Sequence, residues 1–244
     1  MVSMGLSENW KRLSAKQNAS NPKSDKNLSK IRKKSIAKAT PKEREKPVKR
    51  LNQQKTPLEV YLWGKDNNNP AKKAVGKFVA IDCEFVGIGD NDESALARVS
   101  IVNYYGVLLL DTFVKPQGRV TNWRTWVSGV APHHMAEAIT FAEAQEKVES
   151  VIKGKFLVGH ALGGDLKCLE LKHPRNKIRD TSKYSGFRVD TKGHPPSLKK
   201  LISQHFKYDI QNGSHSSVED ARATMALFRK FKPEIDQEAI AKYK

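Results

Sequence analysis

The chain turns apolar at Phe78-Val79-Ala80-Ile81-Asp82-Cys83-Glu84-Phe85, a run that ends with two carboxylates. Its length and its β-branched and aromatic residues predict a buried strand. Because successive side chains of a strand point to opposite faces, Asp82 and Glu84 share one face. Two carboxylates held about 4 Å apart repel each other by about 4 kcal/mol at an effective dielectric constant of about 20. The pair therefore favours a bound positive charge, unless the strand frays and one acid points into solvent.

The segments that follow predict the rest of the fold. Residues 95–105 and 107–114 are strand-like and meet at Gly106, so with residues 78–85 they predict an antiparallel meander. Residues 140–153 change to a helical period that Gly154 ends. We then expect a strand at 156–158, a helix at 162–171, a strand at 177–180, and helices at 197–206, 216–231 and from Pro233. This order predicts an α/β fold with a mixed sheet, an antiparallel meander followed by βα units, flanked by helices.

Charge divides the 244 residues into two parts. Residues 1–60 contain 16 Lys and Arg against 5 Asp and Glu, and they carry +11 of the net charge of +18. Few apolar residues lie in this segment, so we expect residues 1–60 to form a disordered basic tail. We expect residues 61–76 to be a linker, 77–232 the folded domain and 233–244 a C-terminal helical extension.

The composition also restricts the kind of protein. Only Cys83 and Cys168 occur, which fits reduced intracellular thiols and excludes a four-cysteine zinc site. Gly87-Ile88-Gly89 lacks the later glycine of a dinucleotide-binding loop. No apolar segment resembles a signal peptide or a membrane span, so we expect a soluble protein that is neither secreted nor bound to membranes. Basic runs at 31–34 and 42–50 resemble nuclear-import signals and would attract phosphate backbones, although an ordinary solvated tail also explains them.

Two further acids lie at predicted helix starts. Asp165 follows an apolar strand and falls in the first turn of the next helix, where helix N-termini favour a carboxylate without any catalytic role. Residues 216–219, Ser-Ser-Val-Glu, match a capping box that places His215 just before a helix and Asp220 in its first turn. The alternative is that His215 is an ordinary loop histidine and Asp220 an ordinary acid at a helix start, with no part in catalysis. Considered together with Asp82 and Glu84, however, these side chains supply the oxygen ligands that two hard cations need and a base for water.

In these residues the chain resembles the DEDDh group of 3′–5′ exonucleases, of the RNA exonuclease 4 type, over residues 77–231. Five segments carry the resemblance: 82–87 (Asp-Cys-Glu-Phe-Val-Gly), 96–103 (Leu-Ala-Arg-Val-Ser-Ile-Val-Asn), 123–129 (Trp-Arg-Thr-Trp-Val-Ser-Gly), 159–162 (Gly-His-Ala-Leu) with Asp165, and 215–221 (His-Ser-Ser-Val-Glu-Asp-Ala). The resemblance implies a ribonuclease-H-like fold and makes residues 77–232 a DEDDh exonuclease domain. A related subgroup has a tyrosine four residues before the last aspartate. Ser216 stands at that position here, so the histidine subgroup fits better.

The resemblance also implies the roles of individual residues. Two Mg²⁺ or Mn²⁺ ions would be held by Asp82, Glu84, Asp165 and Asp220, with His215 as the general base. The 3′-terminal nucleotide would lie along the backbone of Phe85, Val86 and Gly87 and against Arg124 and Leu162.

We therefore expect a monomeric 3′–5′ exoribonuclease that binds single-stranded 3′ ends and releases nucleoside 5′-monophosphates. A basic tail suits ribosomal RNA precursors or pre-ribosomal particles in the nucleus, and in particular the nucleolus. Two alternatives stay open: a DNA 3′–5′ exonuclease, since five catalytic residues do not distinguish ribose from deoxyribose, and a non-catalytic RNA-binding assembly factor.

Overall fold

The computed structural model describes residues 57–63, 69–188 and 194–242, all of which belong to one unit of the chain, residues 53–244. Disorder was predicted for residues 1–60, and of these residues 1–56 lie outside the described part. No helix in the described ranges has the length and apolar character to cross a membrane.

Six strands form one mixed sheet in the order β3-β2-β1-β5-β6, with β4 added to the end of β1. The strands are β1 Phe78–Ile88, β2 Glu93–Asn103, β3 Leu108–Phe113, β4 Val120–Asn122, β5 Phe156–Gly159 and β6 Ile178–Asp180. The β1, β2 and β3 strands are antiparallel, whereas β5 runs parallel to β1 and β6 parallel to β5. The predicted antiparallel meander followed by βα units is therefore confirmed. The short strand β4 was not predicted.

Seven α-helices surround this sheet in the described residues: α1 Pro57–Trp63, α2 Thr125–Ser128, α3 Phe141–Ile152, α4 Gly163–Cys168, α5 Leu198–Phe206, α6 Ser217–Lys230 and α7 Lys232–Lys242. The ends of α3 follow from its sequence. Thr140 and Glu143 form a reciprocal capping box at its start, and Gly154 takes a φ of +74° just after it.

Both faces of the sheet are covered, which explains why β1 is almost continuously apolar. Ala80 belongs to a buried cluster with residues of α1, α5 and α6, while Val79 and Ile81 belong to a second cluster with residues of α3. Since side chains alternate along a strand, Asp82 and Glu84 share the face of Ala80. The α6 face is therefore the side of the sheet on which the site forms.

The start of the folded part differs from the prediction. Helix α1 spans the predicted boundary between tail and linker, and its Leu58 and Leu62 are each only 1% exposed in the core cluster that contains α6. Arg229 of α6 donates a hydrogen bond to the Leu62 carbonyl over 2.8 Å, and Arg222 pairs with Glu59. Two leucines four residues apart give this helix one apolar stripe, although the surrounding composition is polar.

The C-terminal helix predicted from Pro233 is present as α7. Its Ile235 is buried in the same core cluster as α6, and its Asp236 pairs with the buried Arg179 of β6. Helix α7 therefore packs on the folded unit.

Candidate active site

Three of the predicted acids meet in one pocket at the sheet face covered by α6. Asp82 and Glu84 of β1 and Asp220 of α6 each offer a carboxylate oxygen, and these oxygens lie within 4.8 Å of one another. Glu84 and Asp220 are buried, and Asp82 is half-buried. The two-residue period of β1 supplies the first two acids, and the packing of α6 on the sheet supplies the third.

Asp165 lies beside this group of three, in the first turn of α4. Its carboxylate accepts hydrogen bonds from the thiol and the backbone N–H of Cys83, and its charge helps to raise the pKa of Asp82. The structure therefore brings all four predicted acids to the end of β1. Both cysteines are free thiols, as predicted.

Burial makes this cluster costly to ionise. Desolvation, followed by repulsion from Asp220, raises the pKa of Glu84 to about 8. Desolvation likewise raises the pKa of Asp165 to about 7 and that of Asp220 to about 6. The pKa of Asp82 lies well above its usual range, through desolvation and then through Asp220, Asp165 and Glu84. Without a bound cation these groups hold protons that ordinary carboxyls release.

The donor set fits divalent cations. Glu84 Oε1 and Asp220 Oδ1 are buried and have no hydrogen-bond partner. Buried carboxylate oxygens without partners are rare, and hard cations such as Mg²⁺ and Mn²⁺ take such oxygens as ligands. Asp82, Glu84 and Asp220 are therefore close enough to share one cation, while the role of Asp165 as a further ligand stays a prediction.

His215 lies at the edge of the acidic cluster. Its Nδ1 is 3.8 Å from Asp220 Oδ2, and its backbone N–H donates to the Val127 carbonyl over 2.6 Å. Burial, followed by the charge of Lys199, lowers the pKa of His215 below its usual value. The imidazole is therefore neutral at neutral pH and can accept a proton.

The predicted capping box before α6 is wrong in its contacts. Ser216 is the N-cap in an extended conformation, but its side chain makes no capping hydrogen bond. Glu219 instead accepts hydrogen bonds from Tyr208 and from the Gln211 backbone. Ser217 is fully buried, and its hydroxyl lies 2.6 Å from that of Ser100 on β2. Tertiary contacts with the sheet and the preceding loop thus replace the local capping pair.

Gln211 is a site residue that the sequence did not indicate. Its Nε2 donates to Asp220 Oδ2 over 2.9 Å, which leaves Asp220 Oδ1 without a partner. Gln211 adopts a left-handed φ of +57°, and its carbonyl accepts from Lys199 Nζ. Nothing in the local sequence distinguishes this glutamine from an ordinary loop residue.

An ion pair on the neighbouring strands lies next to Glu84. Arg98, its register partner on β2, forms a two-point ion pair with Asp111 of β3, with both hydrogen bonds at 2.8 Å. The positive charge of Arg98 partly offsets the rise in the pKa of Glu84. Arg98 lies within one of the segments that carry the family resemblance, and this was the only available signal for it.

An open cleft of about 390 Å³ adjoins the acids and His215. It is lined by Cys83, Glu84, Phe85, Asp92, Asn122, Arg124, Trp126, Val127, Ser128 and His215. Trp126 is 82% exposed and was not assigned a role from the sequence. A ring so exposed beside an acidic pocket offers a surface on which a nucleic-acid base can stack.

The predicted substrate-contact residues divide into two groups. Phe85 and Arg124 line the cleft, and the Arg124 guanidinium is held by Ser94 Oγ, the Asp92 carbonyl and the Asp92 carboxylate. Val86 and Leu162 are 0% and 1% exposed and belong to the core. Neither residue therefore presents accessible surface to a ligand in this structure, and their predicted contacts with the 3′-terminal nucleotide stay predictions.

Gly87 is required by close packing. A Cβ at this position would lie 1.6 Å from Asp92 Oδ1. The absence of a side chain at Gly87 thus lets Asp92 approach β1 while it holds Arg124.

The loop before α4 is positioned by a buried acid of β6. Asp180 Oδ1 accepts from the Ala161 backbone over 2.9 Å, and Ala161 has a φ of +65°. His160 Nδ1 lies 2.9 Å from Thr181 Oγ1, which follows β6. These contacts fix the entry to the helix that carries Asp165.

Comparisons with known proteins agree with this geometry. The pattern of the exonuclease family, RNase_T, matches residues 79–228. The protein named RNA exonuclease 4 of Candida albicans is 55% identical over 201 residues, which cover 75% of this chain and 70% of that protein. Its namesake from Debaryomyces hansenii is 47% identical over 255 residues, which cover 95% of this chain and 94% of that protein.

Solved structures give the same result for the fold. The Pan2 catalytic unit of Neurospora crassa is similar with a TM-score of 0.59 and 25% identity, covering 70% of this chain. The Pan2 exonuclease module of Saccharomyces cerevisiae in complex with AAGGA RNA gives 0.59 and 28% over 70% of this chain. This chain spans 29% and 32% of those two Pan2 chains. The predicted ribonuclease-H-like fold is confirmed.

The family pattern covers most of the described residues, and the Debaryomyces hansenii relative extends the similarity to 95% of the chain. The chain is therefore a nuclease that belongs to the exonuclease family, in the group that contains the RNA exonuclease 4 proteins.

Proposed function

We propose that this protein is a divalent-metal-dependent 3′–5′ exoribonuclease of the DEDDh group that releases nucleoside 5′-monophosphates. The observation that carries the proposal is the convergence of Asp82, Glu84 and Asp220 within 4.8 Å, with two buried oxygens that lack partners. A scaffold has no physical reason to bring together carboxyls whose ionisation is so unfavourable.

Each side chain has a distinct part in the proposed reaction. The four acids, Asp82, Glu84, Asp165 and Asp220, would hold the cations. Two Mg²⁺ or Mn²⁺ ions bound there would stabilise the negative charge on the attacking and departing oxygens. Gln211 orients Asp220, and Asp180 positions the loop before Asp165.

His215 removes the proton from the attacking water. As the water oxygen bonds to phosphorus, the bond from phosphorus to the 3′ oxygen of the preceding nucleotide breaks, and the imidazole receives the proton. The departing 3′ oxygen takes its proton from solvent. The phosphate stays on the 5′ oxygen of the released nucleotide, so the product is a nucleoside 5′-monophosphate.

RNA is the preferred substrate for three reasons. The relatives are named RNA exonuclease 4, and the structural neighbours at 25–29% identity include exonuclease modules bound to RNA. The net charge of +18 supports attraction to a phosphate backbone. The exposed Trp126 at the cleft supports stacking of unpaired bases.

We further propose that the protein acts as a monomer on ribosomal RNA precursors within pre-ribosomal particles, in the nucleus and mainly the nucleolus. The basic runs at 31–34 and 42–50 support this location.

Product analysis on matched single strands tests the proposed reaction. RNA and DNA of the same sequence, labelled at the 5′ end, are incubated with Mg²⁺ or Mn²⁺, and the released nucleotides are identified by chromatography. We expect a ladder shortening from the 3′ end, nucleoside 5′-monophosphates, and faster degradation of RNA. Internal cuts or 3′-phosphate products would overturn the mechanism, and faster degradation of DNA would favour the DNA exonuclease.

A matched pair of variants separates catalysis from scaffolding. Glu84→Gln removes a buried acid of the site, and Glu149→Gln makes the same change at an exposed position of α3. We expect only the first to abolish cleavage. A wild-type protein that cleaves neither RNA nor DNA, and whose melting temperature neither ion raises, would instead be an RNA-binding assembly factor.

A further inference from the structure

A second hollow, of about 930 Å³, lies along helix α5 and is separate from the acidic pocket. Lys199, Lys200 and Lys207 lie on its rim and are exposed, whereas Tyr184, His205 and Phe231 line it with rings. The volume is within the range of pockets that hold drug-sized ligands and is large enough for more than one nucleotide unit.

The lining combines the two chemistries that single-stranded nucleic acid requires. Phe231 packs edge-on against His205 with ring centroids 4.8 Å apart, and its ring lies 6.4 Å from that of Tyr184. Burial, and then Lys230 and Lys207, lower the pKa of His205, so its ring is neutral. Rings and lysines that line one hollow offer stacking surfaces to bases and positive charge to phosphates. One acid, Asp209, also lines the hollow.

One lysine of the hollow contacts a residue of the active site. Lys199 lines the hollow, and its Nζ donates to the Gln211 carbonyl over 3.0 Å. The Gln211 side chain in turn holds Asp220, and the charge of Lys199 also acts on His215. Lys199 and Gln211 therefore link the hollow to Asp220, on the side of the acids toward which the rest of a bound strand would extend.

We propose that the hollow along α5 is a binding site for the nucleotides of single-stranded RNA that lie on the 5′ side of the scissile phosphate. This inference rests on the proposed exoribonuclease function and adds to it a substrate requirement: long unpaired 3′ extensions bind better than short ones. Charge complementarity and the link through Lys199 and Gln211 to Asp220 both favour RNA over a protein ligand.

The test uses the full chain with two lysines of the hollow removed. Lys200→Ala is combined with Lys207→Asn, because Lys207 has a φ of +52° that asparagine tolerates. The control, Lys147→Ala with Lys153→Asn, makes the same change in charge on α3, again at one helical and one C-cap position. Binding of fluorescein-labelled RNA of two and ten nucleotides is measured in EDTA by anisotropy over a series of salt concentrations.

We expect the hollow variant to bind the ten-nucleotide RNA about tenfold more weakly, with dinucleotide binding unchanged. The slope of log affinity against log salt should fall by about 1.4, since each phosphate contact on a single strand contributes about 0.7. The control variant should match the wild type. Equal binding by all three proteins, or an equal loss for both RNA lengths, would overturn the proposal.

The same variants separate this inference from the proposed function. With Mg²⁺, the hollow variant should raise the KM for the ten-nucleotide RNA about tenfold while kcat on a dinucleotide stays at the wild-type value. A wild type that binds the longer RNA through these lysines but never cleaves it would contradict the exoribonuclease function alone. Tight capture of an acidic peptide, with no dependence on RNA length, would show that the hollow binds protein.

Discussion

Replacing Glu84 by glutamine should stabilise the metal-free protein while it destroys activity. Burial and the charge of Asp220 raise the pKa of Glu84 from 4.5 to about 8. Because the folded pKa is the higher one, the folded state binds more protons than the unfolded state between these values. Its stability therefore falls by about 1.4 kcal/mol for each pH unit as pH rises through this window.

At pH 7 the raised pKa of Glu84 costs the folded state roughly 3 kcal/mol, by the same conversion, because folding takes up a proton that the unfolded chain has released. Glutamine has the same shape and no charge, but its buried amide lacks partners, which costs about 1–2 kcal/mol. We therefore expect Glu84→Gln to gain about 1–2 kcal/mol in EDTA at pH 7, or roughly 2–8 °C in melting temperature. The gain should grow toward pH 8 and vanish at pH 5.

Thermal unfolding in EDTA at pH 5, 6, 7 and 8 measures this effect, with Glu149→Gln as the exposed control. Mg²⁺ should then make the wild type more stable than Glu84→Gln, because ion binding stabilises the folded wild type and the variant binds the ions less tightly. A metal-free wild type that is as stable at pH 8 as at pH 6 would refute the reasoning. The reasoning would also be refuted if the stability of Glu84→Gln depended on pH as steeply as that of the wild type.

Three other predictions follow from the geometry. Leu58→Ala should lower the free energy of unfolding in urea by about 2–5 kcal/mol, whereas exposed Val60→Ala changes it by less than about 0.5 kcal/mol; equal effects would remove α1 from the core. His215→Asn should reduce kcat by about 10²–10⁴-fold and abolish the rise in rate with pH that occurs below neutrality; an unchanged pH profile would exclude this base. Gly87→Ala should raise the KM for RNA by displacing Asp92 from Arg124, and a wild-type KM would contradict that contact.

Local periodicity in the sequence predicted on which face of a strand, or in which turn of a helix, each acid of the site lies. The two-residue period of β1 places Asp82 and Glu84 on one face, and the helical period of residues after Ser216 places Asp220 in a first turn. These two faces meet only because α6 packs on the sheet. The order of elements and the family resemblance indicated this packing, but periodicity alone could not have done so. The acids of the proposed metal site were therefore predictable as a set.

Contacts that involve unrelated segments were not predictable. Gln211 orients Asp220 from a loop nine residues earlier, and only the left-handed backbone of that loop turns its side chain inward. The pattern at residues 216–219 predicted a capping box, but Glu219 finds partners in the preceding loop and Ser217 finds one on β2. A local signal fails here because buried tertiary partners compete with the cap for the same polar groups.

Helix α1 shows the same limit at the level of domains. Averaged composition assigned residues 57–60 to a polar tail, yet two leucines one helical turn apart suffice to fill a groove beside α6. Burying two leucine side chains contributes about 3–6 kcal/mol before the entropy of ordering the segment is subtracted. A short segment can therefore join the core on the strength of two residues, and a boundary drawn from average composition removes part of the domain that holds the site.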